Sequence, residues 1–193
     1  MTGTERASQQ GSTAVAEPLG DEAAPLVLRL RPVVRLTDSQ LARLSSLNPD
    51  LRIERTEQGE LVIMSPASSE SGAQNADIGF QLKLWVKGTG TGVAFDSSAG
   101  FRLPNGAVRS PDASWVPWTR LAALTPRQKR GFLPLCPDFV IELRSPSDPL
   151  RTVHAKMREY IENGAQLGWL IDPVQQQVYV YRPNAASNAW TVP

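Results

Sequence analysis

The sequence predicts a mixed α/β or α+β sandwich, a central sheet flanked by helices with an N-terminal helix and β-hairpin ahead of it. Three observations carry this expectation. Short segments rich in Val, Ile and Phe recur along the chain and are bounded by Pro and Gly, which is the signature of strands. Two longer segments place apolar residues at helical spacing. After an opening helix, the order strand, strand, strand, helix, strand describes layers of sheet and helix.

Residues 1 to about 25 are rich in Ser, Thr, Gly, Gln, Ala and Glu and read as a disordered tail. The rest, 26–193, is expected to form one domain. Leu26 to Val34 is a short extended arm. Thr37-Asp38-Ser39 precedes Leu41, Leu44 and Leu47, which step by three, so Thr37 or Asp38 can cap a short helix that Asn48-Pro49-Asp50 ends. Leu51 to Arg55 and Glu60 to Met64 flank Thr56-Glu57-Gln58-Gly59 and form a hairpin. Glu54 falls on the face opposite Ile53. A solvent-facing charge is the plain reading there, and a site role the sharper one.

Ser65-Pro66 through Gly72 reads as a loop, and a helix then opens near Asn75 and runs to about Lys87. Ile78, Leu82 and Trp85 form its apolar stripe, and Gly88 and Gly90 stop it. Gly92 to Phe95 and Gly100 to Leu103 look like paired strands, with Pro104-Asn105-Gly106 as a turn. Val108 to Val116 follows as one strand. Within it Pro111 cannot donate to a ladder and marks an edge or a bulge beside Asp112. Thr119 to Phe132 is polar and basic, carrying Arg120, Arg127, Lys129 and Arg130. A solvated surface is the default for such a stretch, and phosphate contact the sharper reading.

The stretch around which the chain is organised is Cys136 to Ser147. It reads as a strand bracketed by Pro137 and Pro146. Side chains alternate along a strand, so Asp138, Val140, Glu142 and Arg144 share one face, while Phe139, Ile141 and Leu143 share the other. A carboxylate and a guanidinium on one side of a central strand are costly unless they pair or hold a metal. A helix from about Arg151 to Asn163 follows, with Val153, Met157, Tyr160 and Ile161 as its stripe and Gly164 as its stop. Lys156 and His154 flank that stripe on opposite sides. Lys156 borders the buried face and can reach the sheet edge, whereas His154 reads as structural. Gln166 to Asp172 and Gln177 to Arg182 are the last strands, with Asp172-Pro173 turning between them.

Composition narrows the functions open to the chain. Of its 193 residues, 41% are hydrophobic, enough for a real core. A net charge of +1 gives no global field that would draw in nucleic acid or an anionic membrane, so any basic surface must be local. The single cysteine, Cys136, rules out an internal disulfide and fits a reducing cytosol. The single histidine, His154, rules out a histidine-rich zinc site within one subunit. No apolar run is long enough to span a bilayer, and the first residues lack the apolar core of a signal peptide. These features predict a cytoplasmic protein without a membrane partner.

Asp112 and Glu142 lie on separate strands that could be neighbours. Two carboxylates at one sheet edge can hold Mg²⁺, which takes hard oxygen ligands and keeps several waters, and the Leu143 carbonyl could add a ligand. Such an ion would polarise a phosphoryl oxygen and activate water, with a nearby cation stabilising the developing charge.

Several separated blocks then carry a resemblance. They are Ser110-Pro111-Asp112, the run from Pro137 to Asp148, Lys156-Met157-Arg158-Glu159-Tyr160, Asn163-Gly164 and the run from Gly168 to Pro173. In this order they resemble the Uma-two family, described as "putative restriction endonucleases" within the PD-(D/E)XK nuclease superfamily. The likeness runs from about Leu36 to Arg182. It implies a restriction-endonuclease-like core and a DNA endonuclease that hydrolyses phosphodiester bonds with Mg²⁺ or Mn²⁺. Asp112 matches the superfamily's Pro-Asp position and Glu142 its Asp/Glu position, so the implied metal ligands are Asp112, Glu142 and the Leu143 carbonyl. Arg144 stands where the superfamily lysine usually lies. Arginine stays protonated, so it can stabilise charge but cannot act as a base. Lys156 supplies the amine from the helix instead, a migration the superfamily shows. Glu54 and Asn75 match further family positions and form a second tier of site residues. Cutting a duplex takes two sites, so a two-fold homodimer is the oligomer to expect. The alternative is a nuclease scaffold without turnover that binds DNA or a protein partner.

Overall fold

The computed structural model describes residues 24–64 and 66–191, so the predicted disordered tail lies almost wholly outside the described residues. The chain opens with β1 (Leu26–Leu28), α1 (Asp38–Leu47), β2 (Arg52–Arg55) and β3 (Leu61–Met64). Then come α2 (Ser69–Thr89), β4 (Gly92–Asp96), β5 (Phe101–Arg102), β6 (Val108–Arg109) and β7 (Ala113–Pro117). A short helix, α3 (Trp118–Ala122), and a 3-10 turn at Gln128–Arg130 lead to β8 (Phe139–Leu143) and α4 (Leu150–Glu162). The described chain closes with β9 (Leu167–Asp172), β10 (Gln177–Tyr181) and β11 (Asn188–Thr191).

Two sheets result. The larger has the order β11-β10-β9-β8-β7-β4, and the smaller β1-β3-β2-β6-β5. The larger sheet is mixed, because β8 and β9 run parallel through the α4 crossover while its other pairs are antiparallel. Alternation along β8 divides its side chains as the sequence indicates. Val140 joins the core under α4 with Phe101, Val116, Met157, Tyr160 and Leu170. Phe139 and Ile141 face the other way, toward Ile78 and Leu82 of α2. The smaller sheet packs Ile53, Leu61 and Val108 against Leu41 of α1.

Helix ends follow local chemistry. Thr37 caps α1 through a reciprocal capping box with Gln40. Gly164, at φ +109°, lets the chain leave α4 through a backbone conformation that a side chain would strain. Among the described residues no helix is long and apolar enough to cross a membrane.

Four expectations need correction. The second helix starts at Ser69, well before Asn75, because Ser68 accepts the N–H of Ser71 and caps it there. Gly88 lies inside that helix, and Gly90 alone ends it in a left-handed conformation. The segments beginning at Gly92 and Gly100 do not pair with each other: β4 joins β7, and β5 joins β6 across the Asn105-Gly106 turn. The stretch from Val108 to Val116 is two strands in different sheets, broken at Ser110-Pro111-Asp112. Strand β11 was not anticipated; its residues are all exposed, so no buried face patterns it.

Candidate active site

Ser110-Pro111-Asp112 is where the chain crosses from the small sheet to the large one. Proline cannot extend a ladder, so the break places Asp112 immediately before β7 and beside the end of β8. The β7–β8 pairing ends at Ala113 and Ile141, and beyond it the Leu143 N–H donates to Asp112 Oδ2 at 2.8 Å. Arg52, from β2, donates Nη1 to Asp112 Oδ1 at 2.6 Å. Asp112 is 6% exposed, so these two donors compensate a buried charge.

Glu142 sits on β8, on the face that α4 covers. Lys156 Nζ lies 2.9 Å from Glu142 Oε1 and 2.9 Å from Glu54 Oε1. Tyr160, one helical turn after Lys156, donates its hydroxyl to the same Glu142 oxygen at 2.8 Å. Glu54 also accepts the Ser110 N–H at 3.0 Å and Arg109 Nη1 at 3.1 Å. Arg109 in turn donates Nε to Glu159 of α4 at 2.6 Å. The small sheet is thus tied to α4 by alternating charges, and α4 is tied to the large sheet through Lys156 and Tyr160.

These contacts set the protonation states. Burial opposes the charge of Glu54, but Lys156, Arg109, Arg52 and the Ser110 N–H outweigh it and hold the carboxyl down at about 2. Burial pushes Glu142 up to about 7 against the pull of Lys156, and Asp112 and Glu54 add to the rise. Burial works against the Lys156 ammonium, yet Glu142 and Glu54 raise its pKa. Tyr160 is raised well above its ordinary value by burial and by the same two carboxylates, so it remains a donor. One ammonium between two buried carboxylates leaves Glu54, with its further donors, the charged one and makes Glu142 the carboxyl whose charge burial opposes.

An open cleft of about 500 Å³ borders this cluster, and Arg52, Asn75, Asp112, Leu143 and Asp148 are on its wall. Glu142, Lys156 and Glu54 are not on the wall; they form the buried layer from which Asp112 and Leu143 project. Asn75 lines the cleft with a side-chain oxygen that is buried and has no hydrogen-bond partner among the described residues.

The structure therefore brings together Asp112, Glu142, Lys156, Glu54 and the Leu143 backbone, with Asn75 on the same cleft. It does not bring Arg144 to them. Arg144 lies just past β8, where Nη1 donates to Asp172 at 2.9 Å and Nε to the Asp148 carbonyl at 3.0 Å. Asp172 ends the neighbouring parallel strand and is 1% exposed, so it demands a counter-ion, and Arg144 is that ion. His154 meets the Tyr181 hydroxyl and packs edge-on against Tyr179, in keeping with a structural residue. Sequence reasoning missed Arg52 and Tyr160 as site residues. Arg52 is two residues from Glu54 on one strand and Tyr160 is four from Lys156 on one helix, so the strand and helix periods carried both signals.

The donor set suits a hard divalent ion. Mg²⁺ accepts one or two carboxylates and keeps its remaining waters. Asp112 and Glu142 could supply those carboxylates, and the Asn75 oxygen, without a hydrogen-bond partner among the described residues, could add a further hard donor on the wall. Among the described residues no group of three or more His, Cys, Asp or Glu could hold a metal ion.

Residues 38–192 match the model of the Uma2 family, described as "Putative restriction endonuclease". Among solved structures the chain is similar to "a putative nuclease belonging to DUF820" from Anabaena variabilis ATCC 29413. The TM-score is 0.62 at 27% sequence identity, covering 73% of this chain and 77% of that one. No curated protein matches the chain.

Proposed function

Since the chain belongs to the Uma2 family, we propose that it is a divalent-metal-dependent endonuclease that hydrolyses DNA phosphodiester bonds. The mixed sheet with helices on both faces is a restriction-endonuclease-like core. The observation that carries the reading is the pair Asp112 and Glu142, two buried carboxylates at one end of neighbouring strands beside an open cleft. They would hold Mg²⁺ or Mn²⁺, with the Leu143 carbonyl as a further ligand. When bound, the ion polarises a phosphoryl oxygen and acidifies water.

The chain's own residues do the rest. Lys156 stays protonated between Glu54 and Glu142, so it serves as a fixed positive charge rather than a base. Lys156 and Tyr160 both bond Glu142 Oε1, which leaves Oε2 as the oxygen that ligates or accepts a proton. Glu54 holds Lys156 in place and Arg109 holds Glu54. Asn75 is placed to orient what enters the cleft. Arg144, engaged by Asp172, fixes the end of β8 against β9.

One observation favours a binding module without turnover: Asp112, Glu142 and Glu54 each already touch a protein cation. Incubating the protein with supercoiled and single-stranded DNA, in Mg²⁺ or Mn²⁺ and in EDTA, separates the two readings. The nuclease cleaves only with metal, and Asp112→Asn slows it by about a hundredfold or more. DNA binding with no cleavage under any metal would establish the binding module.

A further inference from the structure

Of the cations in the site, Arg52 is the one least secured. Lys156 and Arg109 are 14% and 12% exposed, and each touches two carboxylates. Arg52 is 32% exposed, stands on the cleft wall and touches one carboxylate oxygen of Asp112. The other oxygen accepts the Leu143 N–H, and the guanidinium makes a one-pronged contact in place of the two-pronged pairing it prefers. Its remaining contacts, through Nε and Nη2, go to the Met64 sulfur at 3.2 Å each. A thioether is a weak acceptor, so most of the fork is poorly satisfied.

Asp112 cannot remain buried without a positive charge beside it. A divalent ion on Asp112 would place a second positive charge against the guanidinium, and the two repel each other across a short distance in a partly buried setting. We infer that Arg52 is a displaceable counter-ion that neutralises Asp112 while no metal is bound and that a divalent cation must move aside to enter. This rests on the nuclease reading, in which Asp112 is a metal ligand. The arrangement also gives the freed guanidinium a role: it already stands on the wall of the cleft, and its planar fork matches phosphate oxygens better than it matches sulfur. Arg52 is thus a positioning residue whose attachment to Asp112 and whose availability to a phosphate exclude each other.

The coupling between arginine and metal is read with the metal alone, by titrating Mn²⁺ into wild type, Arg52→Gln and Arg52→Lys without DNA. Arg52→Gln should bind Mn²⁺ about tenfold more tightly, the size of a typical coupling between sites. Arg52→Lys, which keeps the charge but loses the fork, should fall between wild type and the glutamine variant. The thermal shift on adding Mn²⁺ should also be larger for Arg52→Gln, because its metal-free form leaves Asp112 unpaired. Equal or weaker Mn²⁺ binding by both variants, with wild type binding normally, overturns the counter-ion and leaves the metal site standing. No Mn²⁺ binding by any of the three overturns the metal site and the nuclease reading with it.

Discussion

Lys156 holds two buried carboxylates at once, and this decides which of them keeps its charge. Glu54 has the additional support of Arg109 and the Ser110 N–H, so its pKa falls from 4.5 to about 2. A depressed carboxyl stabilises the fold at pH values above 4.5, and that contribution is lost as pH falls from 4.5 toward 2. Replacing Glu54 by Gln leaves Lys156 and Arg109 undercompensated. Denaturant unfolding at pH 7 should show a loss of about 3–5 kcal/mol, the usual result of removing one partner from a buried ion pair. The gap between wild type and Glu54→Gln should close as the pH is lowered through that window; a gap independent of pH would show that Glu54 carries no linked charge. At this scale the sequence was legible in part. Asp112, Glu142, Lys156 and Glu54 could be named from strand parity, helical spacing and the motif blocks. Strand parity and the motif blocks both put Arg144 beside Glu142, and neither can show that Asp172, on another strand, competes for it. Arg52 was overlooked because a lone arginine on a hairpin ordinarily reads as solvent-facing.

Elements rather than single residues fix where Asp112 points. It depends on the chain leaving the small sheet at Pro111 and on β7 aligning between β4 and β8. Gly92 of β4 is part of that alignment: a Cβ there would collide with the Val116 carbonyl oxygen and the Trp115 ring. Backbone cannot yield as a flexible side chain can. Gly92→Ala should therefore cost about 1–3 kcal/mol through overpacking, measured by chemical denaturation. An unchanged midpoint would show that β4 shifts freely and does not hold β7. The positions of α1, α4 and the β2–β3 hairpin were readable because caps, periodicity and turn residues are local signals, as Thr37 and Gly164 show, whereas the Ser68 cap of α2 was missed. Sheet membership was not readable for the segments at Gly92 and Gly100. Alternation tells which face of a strand is buried, not which strand lies beside it.

The whole molecule carries a net charge of only +1, so on the nuclease reading proposed above the affinity for DNA would come from a local surface. Arg127, Lys129 and Arg130 are exposed on the segment that leads to Phe132, which lines the cleft. Replacing all three with Ala should weaken DNA binding and reduce its salt dependence by up to about three phosphate contacts, without changing Mn²⁺ affinity. An unaltered salt slope would exclude this segment from the interface. The division of the chain into two sheets joined at Ser110-Pro111-Asp112 could not be read in advance, because both β6 and β7 have ordinary strand composition and only their distant partners separate them. Yet the functional reading depends on that junction, since it delivers Asp112 to the end of β8, the strand that carries Glu142. The most direct measurement is the rate at which wild type and Glu142→Ala nick supercoiled DNA in Mg²⁺, with folding of both checked by thermal unfolding. The account predicts metal-dependent nicking by wild type and none by a folded Glu142→Ala; nicking by the folded variant at the wild-type rate would contradict it.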